Sequence, residues 1–322
     1  MFSDKSNELI QECVSVLELA TESRLHSQVP LVRQVAKYTI NSGGKRLRPL
    51  MLILGAKSVG CSSNKVVDMA VALEFVHTAT LLHDDVVDDS KVRRGESTAN
   101  VQFGNAASVL VGDFLYSRAF QIMVDVGIDA VFKIMADATN DISEGEVLQL
   151  ANIKNINLGE EEYFQVIRAK TSKLFEAAAT LGGVIAGADA DTVDDLSNYG
   201  ACVGTAFQIV DDILDYVGVE GVIGKKVGDD LREGKVTLPV IHALREGTVS
   251  DREMISDLLG NENESTPEKT LQIFDRLGSL EYARGCARKE VTQAVDSLSS
   301  LRPSAAKECL VELAMSSLDR IK

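Results

Sequence analysis

Apolar residues recur along this chain at intervals of three and four rather than two. Val66, Ala70, Leu73, Val76 and Ala79 make one such series and run straight into Leu81 and Leu82, just ahead of a group of carboxylates. That period predicts helix. Prolines stand only at positions 30, 49, 239, 267 and 303, and because proline ends or kinks a helix, the stretch from Leu50 to Leu238 permits long ones. No set of alternating segments joined by hairpin turns is found, so the expected fold class is all-α rather than α/β. The periodicity breaks near 41–46, 89–106, 153–161, 187–195, 218–235 and 259–268. The last of these contains GNENESTPEK, which has the composition of a solvated connection. Neither a repeat of fixed period nor a long Pro/Gly/Ser linker divides the chain. The economical expectation is a single domain over residues 1–322, a bundle of about ten or more helices.

Composition narrows the partners. The 322 residues are 45% hydrophobic and 25% charged, the balance of a soluble globular chain. With 33 basic against 48 acidic residues the formal charge is −15, the wrong sign for nucleic acid or an anionic membrane surface. An anionic ligand would have to be met locally, by a few placed Lys and Arg or by divalent cations held on carboxylates. Cys13, Cys61, Cys202, Cys286 and Cys309 show no CxxC or Cys/His spacing, so a reducing compartment is expected and neither a zinc site nor a disulfide framework. MFSDKSNELIQE resembles neither a secretory signal nor a transit peptide, which fits a bacterial cytoplasm or an organelle, mitochondrion or plastid, after removal of a presequence. No run of eighteen apolar residues occurs. The best stretch, Glu176 to Ala190, has charges at its edges and three glycines, so the chain is not expected to span a membrane.

The densest chemistry lies in His83-Asp84-Asp85-Val86-Val87-Asp88-Asp89. On an ideal helix Asp84 and Asp88 lie about 40° apart, with Asp85 about 60° further on, so the three share a side. Like charges so placed repel unless hard divalent cations bind between them. Asp211, Asp212 and Asp215 repeat the spacing in FQIVDDILDY, again among apolar residues. One such triad is common in acidic chains; two point to several Mg²⁺ ions and hence to a diphosphate. Basic segments suited to phosphate accompany them: Gly43-Gly44-Lys45-Arg46-Leu47-Arg48-Pro49, Arg93-Arg94-Gly95, Lys170-Thr171, and Gly224-Lys225-Lys226 with Gly234-Lys235. Their fork-shaped guanidinium donors and point-charge ammoniums are phosphate ligands by type. His77, seven residues before Asp84, falls within about 20° of it on the wheel. His83 points elsewhere, and His26 and His242 have no constellation.

GGKRLRP at 43–49, EFVHTATLLHDDVVDDSKVRRG at 74–95, KTSKLFEAA at 170–178, FQIVDDILDY at 207–216 and GKKVGDDLREGKVTLP at 224–239 together resemble the trans-type (head-to-tail) isoprenyl diphosphate synthases over nearly the whole chain. The resemblance implies an all-α bundle around a deep central cavity, a homodimer, and repeated Mg²⁺-dependent addition of isopentenyl diphosphate to an allylic diphosphate. By the same resemblance Lys45, Arg48, His77 and Arg94 hold isopentenyl diphosphate, while Arg93, Lys170, Thr171, Gln208, Lys225 and Lys235 surround the allylic diphosphate. Asp84, Asp85, Asp88, Asp211, Asp212 and Asp215 hold Mg²⁺ and, with Lys170 and Lys225, make up the catalytic set. The released diphosphate serves as proton acceptor, so no side-chain base is needed.

Product length follows by resemblance from the places four and five before the first Asp, here Thr80 and Ala79, whose small side chains imply a long product; Met123 and Met135 are further candidates for lining the tunnel. HTATLLHDDVVD is most similar to the long-chain polyprenyl enzymes that make quinone side chains. The alternatives are a short-chain (geranyl to geranylgeranyl) synthase or a non-catalytic prenyltransferase subunit, although a non-catalytic subunit is expected to lose ligands and both triads are kept. An HD-type phosphohydrolase lacks the histidines it needs, and a terpene cyclase or head-to-head coupler leaves GGKRLRP and GKKVGDD unexplained.

Overall fold

The structure is a computed structural model that describes residues 2–217, 228–260 and 266–320. In chain order its elements begin with α1 (Asp4–Arg24), α2 (Pro30–Asn41), α3 (Leu47–Ser58) and α4 (Asn64–Val87). A two-stranded antiparallel hairpin, β1 (Val92–Arg93) and β2 (Glu96–Ser97), leads to α5 (Ala99–Phe103), α6 (Asn105–Val126), α7 (Asp129–Ala151) and α8 (Glu160–Ile167). A π-helical turn, Arg168–Ser172, joins α8 to α9 (Lys173–Ala186). There follow α10 (Ala190–Val217), α11 (Asp229–Arg232), α12 (Leu238–Glu246), α13 (Val249–Leu258), α14 (Thr266–Leu277), α15 (Ser279–Ser297) and α16 (Ala305–Asp319). The fold is all-α, the hairpin being the one exception among the described residues.

Most helix limits follow from local chemistry. Ser3 caps α1 by accepting from Ser6 N–H, Pro30 opens α2, and Thr248 and Asp251 form a reciprocal capping box on α13, each satisfying donors that a helix start leaves orphaned. The anticipated breaks at 41–46, 89–106 and 153–161 coincide with helix ends, and that at 187–195 narrows to 187–189. Breaks at 59–63 and 127–128 fall inside the Pro-free stretch. Gly60 (φ 86°) and Gly127 (φ 64°) make them, by taking left-handed backbone that ends a helix without proline.

Two compact units are present. The first comprises Met1–Ala136, Ala177–Ser197 and Leu298–Glu312; the second comprises Asp137–Glu176, Asn198–Ser297 and Leu313–Lys322. At the centre of the first is α4, packed by α6, α3 and α1. Its buried residues include Met69 through Phe75 without interruption, then Val76, Thr78, Ala79 and Leu82, so the helix is covered on every side there rather than along one stripe. It is long and apolar enough to cross a membrane, yet 67% of that window is buried within the protein. The second unit has its own core, in which Tyr163, Ile209, Ile213, Tyr216, Leu231, Leu238 and Phe274 pack together.

Backbones approach closely where α3 meets α9 in the first unit. A Cβ on Gly182 would stand 2.6 Å from the Leu52 carbonyl oxygen and 3.0 Å from Ala56 N. Neither backbone atom can yield as a flexible side chain would. Gly182→Ala is therefore expected to destabilise the chain by about 1–3 kcal/mol, the usual cost of overpacking, measured as a lower midpoint in denaturant unfolding.

Candidate active site

In the first unit the site grows from the C-terminal end of α4. Asp88 is the C-cap and sends its N–H to the Asp84 carbonyl at 2.8 Å. Asp84 is half-buried and Asp88 exposed, whereas Asp85 is buried. Its Oδ1 accepts from Arg93 Nε at 2.9 Å and Nη2 at 2.7 Å. Asn100 donates to the carbonyls of Asp85 (3.0 Å) and Ser90 (3.2 Å), and Thr98 adds a 2.7 Å bond to the latter. The turn that follows the helix is thus tied down at several points.

The hairpin beyond it turns at Arg94 (φ 55°) and Gly95 (φ 81°), the two left-handed positions of a tight hairpin turn. The Arg94 guanidinium lies against Gly44, where a Cβ would come within 2.7 Å of Nη1. Lys45 is exposed on the same loop. Arg46, itself left-handed at φ 50°, pairs with buried Glu74 and donates to the Ile40 carbonyl. Arg48 Nη1 meets His77 Nε2 at 3.1 Å. Because arginine carries donors only, Nε2 must accept, which puts the ring proton on Nδ1 and leaves the imidazole neutral. Burial and then the charges of Arg48, Arg94, Arg93 and Arg46 hold His77 well below the ordinary histidine range. Four arginines around one neutral histidine concentrate positive charge at one place in an acidic protein.

Of the residues expected to bear on product length, Ala79, Met123 and Met135 are fully buried in α4, α6 and α7. Thr80 is half-buried and donates to the His77 carbonyl at 2.8 Å.

In the second unit the π-helical turn carries Lys170 and Thr171. Lys173 N–H reaches back to the Arg168 carbonyl, the wide i to i+5 bond that marks such turns at functional sites. Two glycines let neighbouring backbones touch it: a Cβ on Gly145 of α7 would meet Lys170 N at 2.7 Å, and one on Gly204 of α10 would meet Ser172 Cα at 2.6 Å. Lys170 Nζ is held by Glu146 Oε2 and Gln149 Oε1, each at 2.6 Å.

From Thr171 a hydrogen-bond chain leads to the second aspartate motif. Thr171 Oγ1 donates to Gln208 Oε1 (2.8 Å), Gln208 Nε2 donates to Asp212 Oδ1 (2.8 Å), and Tyr163 Oη donates to Asp212 Oδ2 (2.6 Å). Burial pushes the Asp212 carboxyl up to about 8, with the charges of Asp230 and Asp211 adding to it and the Tyr163 and Gln208 bonds opposing. Asp211 Oδ1 lies 2.6 Å from Arg320 Nη1. Asp215 accepts from Asp230 N–H at 3.2 Å and, through its carbonyl, from Gly228 N–H at 2.7 Å. Lys235 Nζ pairs with Glu233 at 2.6 Å. Lys225 lies outside the described residues.

Within each unit, then, expected residues meet: Asp85 with Arg93 and Arg48 with His77 in the first, Thr171 with Gln208 and Asp212 in the second. Sequence motifs alone assign no role to Asn100, Glu146, Gln149, Tyr163, Asp230 or Arg320. Asp230 is within their reach, since it lies in the GKKVGDD segment; the others carry no signal beyond helical spacing. Among the described residues no three His, Cys, Asp or Glu side chains form a ready cage for an ion. The donor set still suits Mg²⁺, which takes one or two carboxylates and completes its shell with water and phosphate oxygen. A carboxyl raised by burial, like that of Asp212, also gains from a cation beside it.

An all-α chain with two aspartate triads, an arginine cluster and a placed lysine defines an enzyme class, the prenyltransferases. The chain belongs to the family described as Polyprenyl synthetase, which its residues 29–277 match. It is 45% identical over 318 residues to the octaprenyl diphosphate synthase of Escherichia coli (strain K12), covering 98% of each chain. Among solved structures, a decaprenyl diphosphate synthase from Rhodobacter capsulatus superposes with a TM-score of 0.94 at 40% identity, covering 99% of both chains. A polyprenyl synthase from Caulobacter crescentus CB15, complexed with calcium and isoprenyl diphosphate, gives 0.94 at 38%, covering 98% of this chain and 97% of that one.

The depressed His77 has a signed consequence for stability. As pH falls below about 6.5 the unfolded chain takes up the proton first and the native ring resists, so unfolding binds protons and stability drops; above that pH the contribution is constant. His77→Gln is expected to flatten the loss between about pH 6.5 and 5 in denaturant melts, and an unchanged slope would refute the assignment.

Proposed function

We propose that this chain is a Mg²⁺-dependent synthase that adds isopentenyl diphosphate repeatedly to an allylic diphosphate, such as farnesyl or geranylgeranyl diphosphate, and releases a medium- or long-chain all-trans-polyprenyl diphosphate for quinone side chains. The observation that carries this reading is the near full-length likeness to an octaprenyl diphosphate synthase. The small Ala79 and Thr80 ahead of the first motif support it.

Asp84, Asp85 and Asp88, with Asp211, Asp212 and Asp215, would hold Mg²⁺. When bound, the ions supply neutralising charge to the departing diphosphate. Arg93, Lys170, Thr171, Gln208, Lys225 and Lys235 grip the allylic diphosphate and steady the charge that grows on it as the bond to carbon breaks. Lys45, Arg48, Arg94 and His77 hold isopentenyl diphosphate. Burial and the Arg48 contact keep His77 neutral, so the ring offers a donor at Nδ1 without adding charge. With the two substrates so held, the isopentenyl double bond attacks the allylic cation and a proton is lost to the released diphosphate.

A homodimer fits the exposed apolar residues of α6: Leu110, Phe120 and Val124 stand 66%, 44% and 63% exposed and lie within about 80° of one another on the helix. The bacterial source of the relatives supports a cytoplasmic enzyme and gives no support to the organellar alternative.

Product analysis with Mg²⁺, isopentenyl diphosphate and, separately, geranyl, farnesyl and geranylgeranyl diphosphates tests the reading. Products beyond twenty carbons are expected; products of ten to twenty would turn it to a short-chain synthase, and none with any primer to a non-catalytic subunit. In the same assay Asp84→Ala and Asp211→Ala are expected to lower turnover by about 10²–10³-fold or more while the protein stays folded. Ala79→Phe is expected to shorten the product and keep the first condensation, read from the chain-length distribution.

A further inference from the structure

In the second unit, Tyr163 is buried with 3% exposure, and its ring is set edge-on against Phe164 at 5.4 Å and 71°. Ile209, Ile213 and Leu231 belong to the same packed core. A phenol so enclosed needs a hydrogen-bond partner, and this one finds Asp212 Oδ2 at 2.6 Å. We infer that Tyr163 is a positioning residue for Asp212, its hydroxyl fixing the carboxylate in the orientation that receives the metal. The inference rests on the proposed role of Asp212 as a Mg²⁺ ligand.

The geometry gives the reason. An ionised carboxylate offers about four acceptor positions. Gln208 fills one on Oδ1 and Tyr163 one on Oδ2, so each oxygen keeps a lone pair while rotation of the group is blocked from both ends. Gln208 is itself held by Thr171. Tyr163 therefore anchors the chain at one end from the core of α8, and Thr171 anchors it at the other from the π-helical turn. Without the phenol proton, Oδ2 loses its donor and the carboxylate is free to pivot about its bond to Gln208. Outer partners of metal ligands act in this way, and their loss weakens metal binding by about 10–100-fold.

The test is Mg²⁺ titration by calorimetry with inorganic diphosphate as the probe ligand, on wild type, Tyr163→Phe and Asp212→Ala. Tyr163→Phe keeps the ring in the core, so its melting temperature is expected to stay near that of wild type. A variant with 4-fluorophenylalanine at position 163 fills the hydroxyl space without a donor and serves if Phe disturbs folding. The expected result is about 10–100-fold weaker Mg²⁺ binding in either variant at position 163. In the kinetic assay the Mg²⁺ requirement rises while KM for isopentenyl diphosphate is unchanged. Wild-type Mg²⁺ affinity in the variants at position 163, alongside a loss in Asp212→Ala, overturns the role of Tyr163 alone. Wild-type affinity in Asp212→Ala overturns the metal role of Asp212 and the inference with it.

Discussion

A carboxylate placed on an otherwise apolar helix must be met by donors or by cations, because a buried charge without either costs several kcal/mol. Both units answer this demand with local partners. Asp85 is met by two donors of Arg93, Glu74 by Arg46, and Asp212 by Tyr163 and Gln208. The answer differs in kind: guanidinium charge balances the first unit, whereas Asp212 has only neutral donors, and burial pushes its carboxyl up to about 8. A group in that state is suited to a cation that arrives with the substrate.

The arginines of the first unit show the converse. Arg46, Arg48, Arg93 and Arg94 all bear on His77, with Glu74 paired to Arg46 and Asp85 to Arg93. On the proposed reading, a diphosphate held there would add its negative charge to that of Glu74 and Asp85. The net charge of −15 does not prevent four guanidinium groups from being concentrated around one histidine.

Much of this is legible in the order of residues alone. Two DDxxD repeats and the GGKRLRP segment name the chemistry, and three-and-four spacing with scarce proline indicates helices. The wheel angles are a poorer guide. They put Asp84, Asp85 and Asp88 on one side, but α4 ends at Val87, Asp88 becomes its cap, and Asp85 turns inward to Arg93. Spacing alone does not tell where a helix stops or which of its sides is covered. The three-and-four series from Val66 to Ala79 marks α4 as a helix but understates its burial, since Met69 through Val76 are all covered and a helix buried all round is not told by one stripe. Tyr163 stays hidden for another reason: a tyrosine in an apolar run looks like core packing until the partner of its hydroxyl is known.

The π-helical turn at Arg168–Ser172 also bears on how this chain can vary. Such a turn is an α-helix that has absorbed one extra residue, and each residue advances a helix by about 100°. Deleting any one residue between Arg168 and Ser172 would let α8 and α9 close into a regular helix with their contacts intact in kind, yet it would swing α8 by about that angle and carry Tyr163 away from Asp212. Substitutions here cost degrees of affinity, but a length change breaks the register outright. A substitution removes one side chain of the segment, whereas the loss of a residue displaces Tyr163 whatever the letters are.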